Sequence, residues 1–102
     1  MAYILIMEFE WDPEKNRANT RRHGISFDEA TTLFTSGVDF LEIYDLEHSQ
    51  DEDRFIAVGP IRRGVVLVVY TERDEGVVRI ISARPATTAE TRFWKRSMGD
   101  RG

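Results

Sequence analysis

The spacing of apolar and polar positions assigns most of the chain. Phe9 and Trp11 alternate with Glu8 and Glu10, which predicts a short strand. Asp12-Pro13 then opens a helix, with Asp as N-cap and Pro at the first helical position, and His23-Gly24 closes it. That helix, PEKNRANTRRH, has Ala18 as its only non-proline apolar residue, so it lacks an apolar stripe and depends on flanking residues such as Trp11 and Ile25. A second helix follows. Ser26 and Glu29 form a capping box, Ile25 can staple against Ala30, and Phe27, Ala30, Leu33 and Phe34 supply a buried face.

From there the pattern changes to strands. VDFLEIYD (38–45) alternates, RFIAVG (54–59) follows, and GVVLVVYT (64–71) is apolar on both faces, so it belongs at the centre of a sheet. VVRIISA (77–83) comes next. The links IRRG and ERDEG are hairpin-like, and DLEHSQDED reads as an exposed acidic loop. Beyond Pro85, Thr87 and Glu90 form another capping box and open a helix carrying Phe93 and Trp94. Four consecutive strands on short turns imply an antiparallel sheet, and the flanking helices give an α+β domain with helices covering one face.

Composition narrows the class. The chain has 102 residues, 41% of them hydrophobic, which suits one domain over 1–102 with its own core. It contains no cysteine, which fits a reducing cytoplasm better than secretion. The apolar run at Tyr3–Met7 is too short to span a bilayer and lacks a signal-peptide flank; it reads as a strand or as an N-terminal extension over residues 1–7. Net charge is −4, but it is divided unevenly. Residues 1–53 carry 4 basic and 13 acidic side chains, whereas residues 54–102 carry 10 and 5. The C-terminal half therefore permits a basic patch.

The candidate chemistry is a set of arginines and two histidines. No glycine-rich phosphate loop is present, and two histidines without cysteine offer no structural zinc site, so neither a cofactor nor a metal is expected. Strict alternation along 77–83 places Arg79 with Ile81 and Ala83 on one face and Val78, Ile80 and Ser82 on the other. Arg84 lies just past the strand, and Arg73 in the hairpin before it. A guanidinium fork suits phosphate. The plainer alternative is an ion pair within the fold, for example Arg79 with Glu42. His23 suits a helix C-terminus as a simple cap, His48 reads as a solvated loop residue, and Trp94 as core or as a base-stacking ring.

The assembled segments resemble one family. FEWDPEKNRANTRRHGISFDEA is similar to the N-terminal signature of the BrnT family of bacterial type II toxins, a strand followed by W-D-P-x-K and a polar helix ending in K/R-H-G-[IV]-S-F-x-E-A. DLEHSQDEDRFIAVG resembles its D-x-x-H-S-x-x-E-x-R-F pattern. VVYTERDEGVVRIISARPAT resembles its last hairpin, ending R-I-I-S-A-R-x-A-T with E-x-x-x-[YW] beyond. The resemblance implies a RelE-like fold and a cytoplasmic, metal-independent endoribonuclease that inhibits translation. It implies a ribbon-helix-helix antitoxin as partner, in a two-plus-two heterotetramer that reaches DNA only through the antitoxin. Carried over by position, Arg79 and Arg84 would stabilise the phosphate, His23 would transfer a proton, and Lys15 and Arg73 would contact the RNA. Trp94 stands where the family often has tyrosine, and an indole cannot supply a hydroxyl proton. The competing expectation is a non-catalytic module that binds a ribbon-helix-helix protein and tunes its DNA affinity. A small-metabolite enzyme is the weakest reading, because no cofactor motif is visible.

Overall fold

The computed structural model describes residues 7–99, so the reading of the run at Tyr3–Met7 falls almost wholly outside the described residues. Among the described residues the elements run β1 (Glu8–Glu10), α1 (Pro13–His23), α2 (Phe27–Thr35), β2 (Leu41–Tyr44), β3 (Phe55–Ile61), β4 (Gly64–Glu72), β5 (Val77–Pro85) and α3 (Thr88–Gly99), with a 3-10 turn at Leu46–His48. The five strands form one sheet in the order β1-β5-β4-β3-β2. β2 to β5 are antiparallel neighbours, as their short links require, and β1 joins the edge of β5 in parallel. The apolar β4 is central, as its sequence predicts.

All three helix starts form from the caps expected. The Asp12 side chain accepts from the Glu14 N–H, the Ser26–Glu29 capping box is complete, and Thr87 and Glu90 exchange the same reciprocal pair. Gly24 ends α1 with φ 73°, a left-handed conformation that disfavours a side chain. The core lies between α2 and the sheet: Ile25, Phe27, Ala30 and Leu33 pack on Ala57, Val66, Val68, Tyr70, Val78, Ile80 and Ala83. Phe34 adds an aromatic cluster, with ring centroids 5.8 Å from Phe9, 5.3 Å from Phe40 and 4.9 Å from Tyr70.

Helix α1 docks through hydrogen bonds. Its single buried residue is Asn19. The Asn19 amide accepts from the Ala83 N–H at 3.1 Å and donates to the Ala83 carbonyl at 2.7 Å, the two bonds a neighbouring strand would make. It also donates to the Ile25 carbonyl at 2.9 Å, while Asn16 Oδ1 accepts from the Phe27 N–H at 2.8 Å. Asn19 thus closes the edge of β5 beyond the end of β1. Trp11 supports the helix as expected, its ring meeting Phe27 edge-on at 6.2 Å.

Three expectations need correction. The strand read over 38–45 forms only at Leu41–Tyr44, because Phe40 turns into the aromatic cluster and Pro60, which has no N–H, stands where the ladder would continue. β3 is longer than expected and reaches Ile61, leaving Arg62-Arg63 as the turn. The helices do not share one face. Ala89 and Phe93 of α3 line a cleft with Ile43, Ile56, Val58 and Leu67, the strand residues that point away from the core shared with α2. A central strand that is apolar on both faces needs cover on both, and α3 supplies the second.

Candidate functional site

Arg79 and Arg84 stand on the face that α3 partly covers. Along β4, Leu67, Val69 and Thr71 are alternate positions and therefore share a face; their partners on β5 are Arg84, Ser82 and Arg79. The ladder pairs Val69 with Ser82 but Tyr70 with Ile80, so Ile81 is an extra residue, a β-bulge. Strict alternation, which groups Arg79 with Ala83, therefore fails across Ile81: Ala83 joins Ile80 and Val78 in the core, and Arg79 joins Ser82 and Arg84 outside it.

Both arginines have carboxylate partners. Arg79 Nη1 donates to Glu10 Oε1 at 3.3 Å, and Arg73 Nη1 reaches the same oxygen at 2.9 Å. Glu42, the partner suggested by sequence, lies on the opposite face, where it accepts from the buried Tyr70 hydroxyl. Burial first, and the Glu42 carboxylate second, push the Tyr70 phenol above its usual range. Arg84 is held end-on by Glu90, with Nη1 to Oε1 and Nη2 to Oε2 both at 2.8 Å, and Nη1 also donates to the Pro85 carbonyl at 3.2 Å. The hydrogen bond from Arg84 holds Glu90 down at about 2, and the same contact raises Arg84.

These pairs leave donors over. A guanidinium carries five N–H groups, of which Arg79 uses one and Arg84 three in the described bonds. The Nε and outer Nη2 edge of Arg84, its second fork, has no partner among the described residues. Arg73 and Arg79 share one carboxylate, so that group keeps a net positive charge. Both motif arginine side chains are about a third exposed, 34% for Arg79 and 36% for Arg84. The face can therefore accept an anion without breaking the pairs that orient it.

The remaining sequence candidates fall into two places. His23 and Lys15 line a separate small cleft at the bulged edge of β5, with Asn19, Arg22, Ile81 and Ser82. No described hydrogen bond or ion pair links His23 with Arg79 or Arg84. Trp94 is half-buried on α3, and its indole N–H donates to the Asp39 carbonyl at 3.3 Å, which ties it to the segment leading into β2. Arg54 was absent from the sequence candidates. It precedes β3, its backbone carbonyl accepts from the Asp45 N–H, and its Nε is buried with no hydrogen-bond partner among the described residues. Its ion pair with Glu52 is 3.9 Å long, beyond hydrogen-bond reach. The signal was present in the D-x-x-H-S-x-x-E-x-R-F segment, whose only basic side chain is this one. Among the described residues no three histidine, cysteine or carboxylate side chains gather as a metal would need, and no helix is long and apolar enough to cross a membrane.

A five-stranded mixed sheet with helices against both faces, carrying Arg79 and Arg84 on its strand β5, defines a small α+β domain. The chain belongs to the BrnT family: the model described as "Ribonuclease toxin, BrnT, of type II toxin-antitoxin system" matches residues 11–90. The crystal structure of the Brucella abortus ribonuclease toxin BrnT superposes with a TM-score of 0.60 at 22% identity, covering 80% of this chain and 99% of that one. At that identity the superposition supports the fold. No curated protein matches the chain. A type II system pairs its toxin with an antitoxin, so the family gives this chain an antitoxin partner.

Proposed function

We propose that the chain cleaves RNA without a metal and so halts translation, and that an antitoxin of the ribbon-helix-helix type blocks it. The observation that carries this reading is the shared face of Arg79 and Arg84, each oriented by a carboxylate and each with free N–H groups. Metal-free cleavage needs fixed cations where charge builds on the phosphate, a base for the 2′-hydroxyl and an acid for the leaving 5′-oxygen. Arg79 and Arg84 answer the first requirement. Arg73, sharing Glu10 with Arg79, extends the cationic face along the RNA backbone. Lys15 and His23 sit at the strand edge, which suits backbone contact, and the reading moves His23 from proton transfer to that task. Trp94 offers its ring from the same side of the sheet for packing or for a stacked base.

The toxin acts in the cytoplasm in this reading and assembles with its antitoxin as a two-plus-two heterotetramer, through which alone it meets DNA. The test is expression in a bacterium with and without the antitoxin. Growth arrest relieved by the antitoxin is expected, and folded Arg79→Ala and Arg84→Ala variants should lose it. Arrest of full strength from both variants would remove these residues from the site.

One observation favours the second reading, a non-catalytic partner of a ribbon-helix-helix protein: both arginines already have internal ion-pair partners. That reading predicts tight antitoxin binding with no growth arrest.

A further inference from the structure

The acidic loop between β2 and β3 holds a built histidine–carboxylate pair. Asp45 and His48 sit at the two ends of the 3-10 turn, and His48 Nδ1 lies 2.9 Å and 3.1 Å from the two oxygens of the Asp45 carboxylate. A carboxylate only accepts, so Nδ1 carries the hydrogen, and in the neutral ring Nε2 is left as a bare acceptor. The carboxylate is the enclosed partner, with 15% of its side chain exposed, and the imidazole the open one at 63%. The Ser49 hydroxyl holds the turn in place. Ser49 Oγ donates to the Asp45 carbonyl at 2.5 Å and accepts from the Arg54 N–H at 2.9 Å.

The pair lies in register with the arginine face. Tyr44 pairs with Phe55, Phe55 with Tyr70, and Tyr70 with Ile80. One step further, the Asp45 N–H donates to the Arg54 carbonyl, Thr71 Oγ1 donates to the Asp53 carbonyl, Thr71 pairs with Arg79, and Arg79 with Glu10. Asp45, Arg54, Thr71, Arg79 and Glu10 therefore form one cross-strand row on the outer face. Adjacent strands are about 4.8 Å apart, so Arg54 and Arg79 are separated by roughly 10 Å at their backbones. Two long guanidinium side chains can reach one phosphate across that gap.

We infer that His48, held by Asp45, is the catalytic base of the RNA cleavage, with Arg54 beside it as a further phosphate ligand; this rests on the ribonuclease reading above. Glu47, Asp51 and Glu52 share the cleft of about 350 Å³ around His48 with Arg54 as its only cation. Those carboxylates disfavour a phosphate in the cleft itself. The scissile phosphate lies over the row, toward Arg54 and Arg79, and the ribose turns its 2′-hydroxyl to Nε2. The proton passes from the 2′-oxygen to Nε2 as the bond from that oxygen to phosphorus forms. The bond from phosphorus to the 5′-oxygen breaks, and the leaving oxygen takes a proton from water. The imidazolium returns its proton to the hydroxide so formed, leaving a 2′,3′-cyclic phosphate and a 5′-hydroxyl.

The experiment uses the purified full chain with an RNA oligonucleotide in EDTA, comparing parent, His48→Ala and Asp45→Asn. His48→Ala should lower kcat by about 10²–10⁴-fold with little change in KM. Added imidazole should restore part of the rate. Asp45→Asn should lower kcat in the same direction. A folded His48→Ala protein that cuts at the parent's rate overturns the assignment while leaving the ribonuclease reading intact. A parent that leaves RNA whole overturns the ribonuclease reading, and this inference with it.

Discussion

Arg79 and Arg84 stand on the same face of the sheet because Ile81, between them on β5, has no partner on β4. An odd separation on a regular strand puts two side chains on opposite faces; one bulged residue reverses that. The same bulge returns Ala83 to the core, where its backbone meets Asn19. One local irregularity thus serves the packing of α1 and the assembly of the cationic face.

Asn19 should be the most sensitive polar position in the fold. Asn19→Ala removes three hydrogen bonds and leaves the Ala83 N–H and carbonyl buried without partners. Each unmet group costs about 1–3 kcal/mol, so a total loss of about 3 kcal/mol is expected in urea unfolding. Asn19→Asp should be at least as harmful at neutral pH, since a carboxylate would face the carbonyls of Ile25 and Ala83.

Gly59 marks a close approach between β3 and its cover. A methyl group there would lie 2.7 Å from both Leu33 Cδ1 and Phe40 Cβ. Gly59→Ala should therefore destabilise by about 1–3 kcal/mol through overpacking, read as a lower urea midpoint. An unchanged midpoint would mean that Leu33 and Phe40 shift freely, against the tight packing described for them.

The Arg84–Glu90 pair sets an acid limb. Glu90 falls from 4.5 to about 2 in the folded chain, chiefly through its hydrogen bond from Arg84. A group with a depressed folded pKa contributes stability that is full above its unfolded pKa and is lost as pH falls through its folded one. The parent should thus lose stability between pH 4.5 and about 2, and Glu90→Gln should lose less across that window. Parallel curves from urea unfolding at stepped pH would contradict this assignment.

Much of the fold was legible because its signals are local. The caps at Asp12, Ser26 and Thr87 and the two-sided apolar pattern of β4 each act within a few residues. The missed features are long-range or depend on one residue. Asn19 reads as a solvated helix position because its partner, Ala83, is 64 residues away. Arg79 meets Glu10 across 69 residues, and no spacing rule points to that pair over Glu42. A bulge at Ile81 leaves no mark in VVRIISA, where Ile80 and Ile81 are equally apolar. The face taken by α3 follows from where β5 delivers the chain, which a helix pattern does not encode.

The candidate site was legible in part for the same reasons. The arginines of RIISAR stood out because charge on an apolar strand demands a partner. Arg54 and His48 did not, since an acidic loop hides a fixed pair as well as it hides solvated side chains.

The most direct test of the account is RNA cleavage by the purified chain, freed of antitoxin, in EDTA, beside Arg79→Ala and Arg84→Ala. Cleavage by the parent is expected, with losses of about 10²–10³-fold in kcat for folded variants, the scale of removing one fixed donor from a developing charge. Equal cleavage by parent and both variants would contradict it, because the face on which these two arginines meet would then play no part in the chemistry.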